Sequence, residues 1–305
     1  MSMSKAVVLT KYGPPDVLVW SDVPIPEPGA GQVRIRIKAA GVSPTDPKIR
    51  RGDLEAAFPL PPNAVLGFEA AGTVDALGPA VSGVKEGDEV ASLLLGLGGY
   101  GEYALASSWT PKPPNVTWSD AAALPASAEA AVGTLKQLQV TAGETLLILG
   151  AAGSVGLIAV QLAKLRGIKV IGAAAPWNHE LVRNLGAIPV SYGPGLADRV
   201  REHVPSVDAV LDTAGKGGLL DAIALAGGPA RVMTLADEHA AGLGVAFSAP
   251  TPNRAPEALD QTMPLLATGA LHLRSQRQLP MEHAAEAHRL LESGGAHEKL
   301  ILDPR

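Results

Sequence analysis

Apolar and polar positions alternate early in the chain with a period of two. Val33, Ile35 and Ile37 interleave with Arg34, Arg36 and Lys38, the pattern of a strand with one face in a core and the other in water. Residues 5–10 and 32–40 therefore predict strands, with Pro24, Pro26, Pro28 and Gly29 forming an extended turn region between them. Residues 67–77, 89–95 and 100–106 are further short strands separated by glycines. Such close spacing predicts a small barrel or rolled sheet.

Near residue 120 the texture changes. Ser119 and Asp120 precede Ala121, Ala122, Ala123 and Leu124 as a helix start. Beyond them the pattern predicts strands at 145–150, 169–173, 207–212 and 231–235, and helices at 154–166, 178–185 and 218–226, the second of these ended by Gly186. This alternation predicts an α/β fold with a doubly wound parallel sheet. The tail reads as a helix at 257–266, a strand at 271–276 and an amphipathic helix at 282–292 with Ala285, Leu290 and Leu291 apolar. A closing strand follows at 299–302, and these pieces return to cover the N-terminal β domain.

Composition narrows the picture. A chain of 305 residues, 47% apolar and 18% charged, fills a sizeable core and is long enough for two modest domains. The 34 glycines and 26 prolines are dispersed and mark turns, not a linker. Net charge is -5 and no lysine- or arginine-rich block exists, so neither nucleic acid nor an anionic membrane is an expected partner. The absence of cysteine excludes disulfides, thiol catalysis, iron–sulfur clusters and cysteine-ligated zinc. Residues 1–9 carry one lysine and no long apolar core, which is not a signal-peptide pattern, and the expected location is cytoplasmic. Residues 145–163 carry no charge and resemble a membrane span, but Gly150, Gly153 and Gly156 interrupt them and Glu144 and Lys164 flank them. A buried strand, turn and helix is the better reading.

That segment is also the strongest chemical signal. A hydrophobic strand ends in Gly150, Ala151, Ala152, Gly153, Ser154, Val155 and Gly156 and opens directly into a helix. Gly150 allows the turn, Gly153 lets the backbone approach a pyrophosphate, and Gly156 permits close helix–sheet packing, while the helix N-terminus offers unpaired amides and positive dipole. A glycine string alone is weak evidence; between a strand and a helix it predicts dinucleotide binding. NAD sites usually end the second strand with an acid that holds the ribose hydroxyls. Here that stretch runs through Ala174, Ala175, Pro176 and Trp177, so NADPH is expected over NADH. No base stands in for the acid; the nearest are Lys169, His179 and Arg183, and Trp177 offers a ring for adenine.

The ordered motifs of the whole chain resemble the medium-chain dehydrogenase/reductase superfamily, in its zinc-independent, quinone oxidoreductase-like branch. The likeness is carried by Gly41, Val42, Ser43, Pro44, Thr45 and Asp46; by Gly67, Phe68, Glu69 and Gly72; by Gly98, Gly99, Tyr100 and Gly101; by Leu124 and Pro125; by the glycine turn; by Val207, Asp208, Asp212 and Thr213; and by Ala287, His288, Arg289 and Leu290. The resemblance implies a GroES-like β-barrel catalytic domain from residues 1–121 with 267–305, and a Rossmann domain from 122–266. It implies an active-site cleft between them and a homodimer formed through the last Rossmann strand near 244–248. Ala175, Trp177, Asn178, His179 and Thr213 fall at cofactor positions, and Leu235, Phe247 and Ser248 match the stretch that lines the nicotinamide.

Departures from the family pattern matter as much. Zinc-dependent members carry Cys at Ser43 and Gly-His-Glu at Gly67, Phe68 and Glu69, so no zinc is expected, and the 7 histidines read as solvated or capping residues. Quinone reductase-like members often have Asn at Ser43 and a Thr–Ala pair at Ala130 and Ala131, and Glu129 occupies a normally apolar place. Ser43, Asp46 and Lys48 are the candidates for polarisation or proton delivery, although the Ser/Asp preference for caps favours Ser43 and Asp46 as caps of a helical turn at 47–51. Thr45, Phe58 and Tyr100 are the substrate-pocket candidates, and Tyr100 also suits barrel packing. The reading that follows is an NADPH-dependent oxidoreductase passing hydride to a quinone or an activated alkene. A pathway-specific enoyl or tailoring reductase and a non-catalytic NADP-binding protein are the alternatives.

Overall fold

In the computed structural model, residues 2–56, 59–249 and 254–304 are described. The chain divides into two compact units. One comprises Met1–Ala126, Leu259–Ala270 and Ser275–Arg305, the other Ser127–Ala258 and Leu271–Arg274.

The first unit is built on the strand Val33–Gly41. Its period-two pattern places Val33, Ile35 and Ile37 in the core at 0%, 0% and 2% exposure. It pairs antiparallel with Glu69–Leu77 and Tyr103–Ala106. The seven-stranded sheet runs Gln276–Pro280, Lys299–Asp303, Val33–Gly41, Glu69–Leu77, Glu89–Leu93 and Thr110–Pro111, with Tyr103–Ala106 beside Val33–Gly41. The tail thus returns to this unit: Lys299–Asp303 pairs antiparallel with Val33–Gly41. A second sheet sets Met3–Leu9 between Leu18–Pro24 and Ala64–Val65. The edge strand Leu18–Pro24 gave no period-two signal, because its apolar residues Leu18, Val19 and Trp20 run together instead of alternating.

Three sequence readings are corrected here. The tail strand is Gln276–Pro280 and not 271–276. The backbone of His272 is already engaged: its N–H donates to Gln161 Oε1 and its carbonyl accepts from Gln161 Nε2, both at 2.8 Å, so a side-chain amide occupies the groups a strand neighbour would need. The helix near 120 is Trp118–Ala123, and its cap is Thr117, whose Oγ1 accepts from Asp120 N at 3.1 Å. Helix Ala284–Glu292 buries Ala284, Ala287 and His288, while Ala285, Leu290 and Leu291 pack only partly against the core.

The second unit is a parallel sheet. Its order is Ile188–Ser191, Lys169–Ala174, Thr145–Leu149, Ala209–Asp212, Val232–Thr234 and Ala246–Phe247. Numbered within this unit, the strands run 3-2-1-4-5-6, the doubly wound dinucleotide-fold order with its topological switch between the first and fourth. Helices Ser154–Leu165, His179–Asn184, Leu196–Arg201 and Leu219–Ala226 alternate with them. The apparent membrane span resolves into Thr145–Leu149, a turn and Ser154–Leu165. Among the described residues no helix is long and apolar enough to cross a membrane.

Candidate active site

In the second unit the chemistry gathers at the carboxyl ends of the strands, where ligands bind in such sheets. Gly150 leaves its strand at φ +84°, a conformation that favours glycine, and a Cβ there would lie 2.6 Å from Thr213 Oγ1. Thr213 Oγ1 donates to Leu149 O at 2.8 Å, joining the loop after the fourth strand to the glycine turn across the switch point. At Gly156 a Cβ would come within 2.2 Å of Gly150 O, so the helix sits against the turn at a distance only glycine permits. Helix Ser154–Leu165 starts at Gly153 with no side-chain cap and no acid in its first turn. Its first amides and positive dipole are left to an external anion.

The neighbouring loops are braced from within. Asp212, 1% exposed, accepts from Ala214 N at 2.9 Å and Gly215 N at 3.1 Å through Oδ1, and from Thr234 Oγ1 at 2.8 Å through Oδ2. Thr234 Oγ1 in turn accepts from Ala236 N and Asp237 N, both at 3.0 Å. The sequence reading missed this bracket; an acid and a threonine closing adjacent apolar strands were its signal.

At the end of the second strand the chain shows no acid. Ala175 is buried, Trp177 is 73% exposed in the turn Pro176–Asn178, and Asn178 donates its N–H to Ala175 O at 2.8 Å. His179 lies with Nε2 3.3 Å from Ala174 O, and Arg183 is exposed on the helix that follows. Lys169 belongs to the opposite end, since it opens the strand Lys169–Ala174, which puts it roughly 17 Å away along the strand. It is withdrawn as a phosphate candidate. Tyr192, 52% exposed, follows Ser191, the residue level with Ala174, and so shares this end of the sheet; the sequence reading passed over it. Leu235 N donates to Asp212 O at 2.9 Å, and Phe247 is 49% exposed on the last strand. Ser248 is buried, and its N–H continues the sheet ladder to Thr234 O at 2.9 Å.

In the first unit Ser43, Asp46 and Tyr100 are brought together. The helix begins at Thr45, two residues earlier than 47, and Asp46 turns back from its first turn to accept from Ser43 N at 2.7 Å. Ser43 Oγ accepts from Thr45 N at 3.3 Å, and its own proton has no acceptor among the described residues. Asp46 is wholly buried and also accepts from Tyr100 Oη at 3.0 Å. Burial, the largest influence, pushes its carboxyl up to about 7 against the bonds from Ser43 and Tyr100. A fourth member, His288, stands with Nε2 3.1 Å from Tyr100 Oη and is fully buried, a correction to the expectation of solvated or capping histidines. Its spacing with Ala284 and Ala287 along one helix face was the available signal. Lys48 is half-buried on the same helix as Asp46, Thr45 is half-buried at its start, and Phe58 lies outside the described residues.

Phe68 and Glu69 have structural roles. Phe68 is in the core at 5% exposure, and Glu69, at 0%, pairs with Lys299 Nζ and accepts from Ala126 N at 2.8 Å. With Ser43 as the third member, this set offers a hydroxyl, a phenyl and an already paired carboxylate, which is not a zinc donor set.

Comparison with known proteins agrees with this geometry. The profile of the alcohol dehydrogenase GroES-like domain matches residues 29–114, and that of the zinc-binding dehydrogenases matches residues 189–302. The quinone oxidoreductase of Sus scrofa is 31% identical over 328 residues, covering 98% of this chain and 98% of that protein. The chain belongs to the medium-chain dehydrogenase/reductase superfamily, in its quinone oxidoreductase-like branch. This quinone oxidoreductase-like chain is an oxidoreductase with GroES-like and Rossmann parts, and the non-catalytic alternative is set aside. A chloroplastic NADPH-dependent alkenal/one oxidoreductase of Arabidopsis thaliana is 35% identical over 226 residues, covering 69% of this chain and 57% of that protein. Among solved structures, the quinone oxidoreductase from Coxiella burnetii superposes with a TM-score of 0.87 at 29% identity, covering 100% of both chains.

Proposed function

We propose that the chain is an NADPH-dependent, zinc-independent reductase that passes hydride to a quinone or an α,β-unsaturated carbonyl compound. The observation that carries this reading is the glycine turn at the switch point, opening into an uncapped helix and flanked by a strand end that lacks an acid. The cradle fits a dinucleotide: a Cβ at Gly150 or Gly156 would fill the space where the turn, Thr213 and the helix meet. Residues 150–156 would hold the pyrophosphate, Ala175, Trp177, Asn178 and His179 the adenosine end, and Thr213, Leu235, Phe247 and Ser248 the nicotinamide end. The names of the relatives in pig, Arabidopsis and Coxiella support the acceptor class, and the Arabidopsis name supports the cofactor.

When bound, the dinucleotide supplies hydride to an electron-poor carbon, and the protein's part is orientation and polarisation. Ser43 has a hydroxyl proton with no acceptor among the described residues, so it is the group proposed to donate to an acceptor's carbonyl oxygen as negative charge builds there, with the Thr45 hydroxyl beside it. Asp46 holds Ser43 in place through its amide and, with its carboxyl near neutrality, carries a proton for part of the population at pH 7. Thr45, Lys48 and Tyr100 complete the polar group in the first unit, Tyr100 by fixing Asp46. A homodimer is proposed through Ala246–Phe247, which ends the sheet and exposes Phe247. Its test is the sedimentation mass.

Calorimetric titration with NADPH and NADH, followed by turnover with a quinone, an alkenal and an enoyl thioester, tests the reading. Tighter NADPH binding and NADPH oxidation by the quinone or alkenal are expected. Binding of neither cofactor would overturn it, and turnover confined to the thioester would replace it with a tailoring reductase.

A further inference from the structure

We propose that Glu129 and Arg254 form a buried positioning pair that pins Ser248, and with it the carboxyl end of the last parallel strand, in the geometry that binds the cofactor. The inference rests on the dinucleotide reading above. Glu129 and Arg254 are 6% and 7% exposed, and they meet as a two-pronged ion pair, Nε to Oε1 at 2.7 Å and Nη2 to Oε2. The remaining nitrogen, Nη1, donates to Ser248 O at 3.1 Å and to Ser248 Oγ at 3.3 Å. Ser248 Oγ then donates to Gln137 Oε1 at 2.7 Å.

The helix Pro125–Leu138 is shaped for this clasp. Glu129, Gly133 and Gln137 are spaced four apart and share one face. At Gly133 a Cβ would lie 2.5 Å from Arg254 Cγ, so the glycine opens the groove in which the arginine stem runs. An interior helical glycine is costly in itself, and here the close approach of Arg254 accounts for it. Glu129 binds the guanidinium, Gly133 admits the stem and Gln137 takes the hydroxyl of the residue being held.

Every polar group of Ser248 is thereby engaged, since its N–H already bonds to Thr234 O. Thr234 bonds to Asp212, and Asp212 holds the amides of Ala214 and Gly215 beside Thr213, which is bonded to the glycine turn. Hydrogen bonds, joined through the residue Thr234 and across the peptide bond between Thr213 and Ala214, thus link Glu129 to the glycine turn. A carboxylate and a guanidinium in a core contribute little net stability over apolar residues of the same size. What they add is direction, and here the direction is toward Ser248.

The test is the double variant Glu129→Leu with Arg254→Met, which fills the same space without charge and is expected to fold. A companion variant, Arg254→Lys, keeps the charge and loses the fork. Hydrogen exchange at the Ser248 amide is expected to quicken in both, and the NADPH dissociation constant to rise roughly tenfold, with thermal midpoints near that of the unmodified chain in the double variant. Unchanged exchange at Ser248, or quicker exchange with unchanged NADPH affinity, overturns the proposal. If the unmodified chain binds no NADPH, the dinucleotide reading fails and cofactor positioning fails with it. The exchange measurement still decides whether the pair pins Ser248.

Discussion

Tyr100 donates its only hydroxyl proton to Asp46 Oδ2 at 3.0 Å while His288 Nε2 stands 3.1 Å from Tyr100 Oη. The histidine must therefore be the donor to Tyr100 through Nε2, and burial, which lowers its pKa to about 3, keeps the ring neutral with its proton there. Its Nδ1 and Asp46 Oδ1 are buried without partners among the described residues. A proton on Asp46 belongs on Oδ1, the oxygen that neither Ser43 nor Tyr100 uses.

Opposite shifts at Asp46 and His288 are expected to offset one another in the pH dependence of stability in mild acid. Asp46 rises from 3.8 to about 7 on folding, so its contribution declines as pH rises through that range. His288 falls from 6.5 to about 3, chiefly through burial and then the Arg50 charge, so its contribution is lost as pH falls through that range. Between pH 4 and 6.5 the two slopes oppose each other. Asp46→Asn is expected to leave a stability that climbs with pH up to 6.5, and His288→Gln one that declines from pH 4 to 7, each by at most about 1.4 kcal/mol per pH unit. Urea midpoints across pH 4–8 decide it, and parental profiles in both variants would refute the opposition.

Lys299 is held against Glu69 and donates to Val42 O at 3.0 Å, with the carboxylate at 0% exposure. Lys299→Met leaves that carboxylate with only the Ala126 amide, at a cost of about 3–5 kcal/mol. Adding Glu69→Gln is expected to recover most of the loss. Urea unfolding that shows less than about 1 kcal/mol for the single change would mean the pair is dispensable.

Four of the six parallel strands were readable because they are buried apolar runs, whereas the sheet's edges, Ile188–Ser191 and Ala246–Phe247, are short and partly exposed and gave no such pattern. The glycine turn was readable because its spacing is imposed by backbone contacts, such as Gly156 against Gly150 O. The side-chain networks were not. Arg254 meets Glu129 across 125 positions and Tyr100 meets His288 across 188, and no local pattern encodes such pairs. Glu129 stood out as a charge in an apolar place, but its partner emerged only from the fold.

Gly156 and Gly153 separate packing from ligand approach. A Cβ at Gly156 would lie 2.2 Å from Gly150 O and must displace backbone, so Gly156→Ala is expected to lose about 1–3 kcal/mol of stability together with NADPH binding. At Gly153 the same oxygen is 3.2 Å away and only a slight shift is needed. Gly153→Ala is expected to keep its thermal midpoint within a few degrees and still weaken NADPH by about tenfold, because the methyl would stand where the pyrophosphate is proposed to approach. Undiminished NADPH affinity in Gly153→Ala would remove the phosphate role of this turn.

Trp177 offers a cleaner test of cofactor choice than any buried position, because at 73% exposure it tolerates a charge without a folding penalty. Trp177→Ala removes only the ring, so any lost stacking on adenine weakens NADPH and NADH alike. Trp177→Asp removes the ring and adds a negative charge near the end of the second strand, where the extra phosphate of NADPH is expected. Like charges near a surface repel by on the order of 1 kcal/mol, so NADPH is expected to weaken about fivefold more than NADH in the Asp variant relative to the Ala variant. The difference should shrink as salt is raised, since exposed charges are screened. Calorimetric titrations of both cofactors at two ionic strengths give all four comparisons. Equal weakening of NADPH and NADH in Trp177→Asp would place the 2'-phosphate elsewhere and leave the acid-free strand end without a part in cofactor choice.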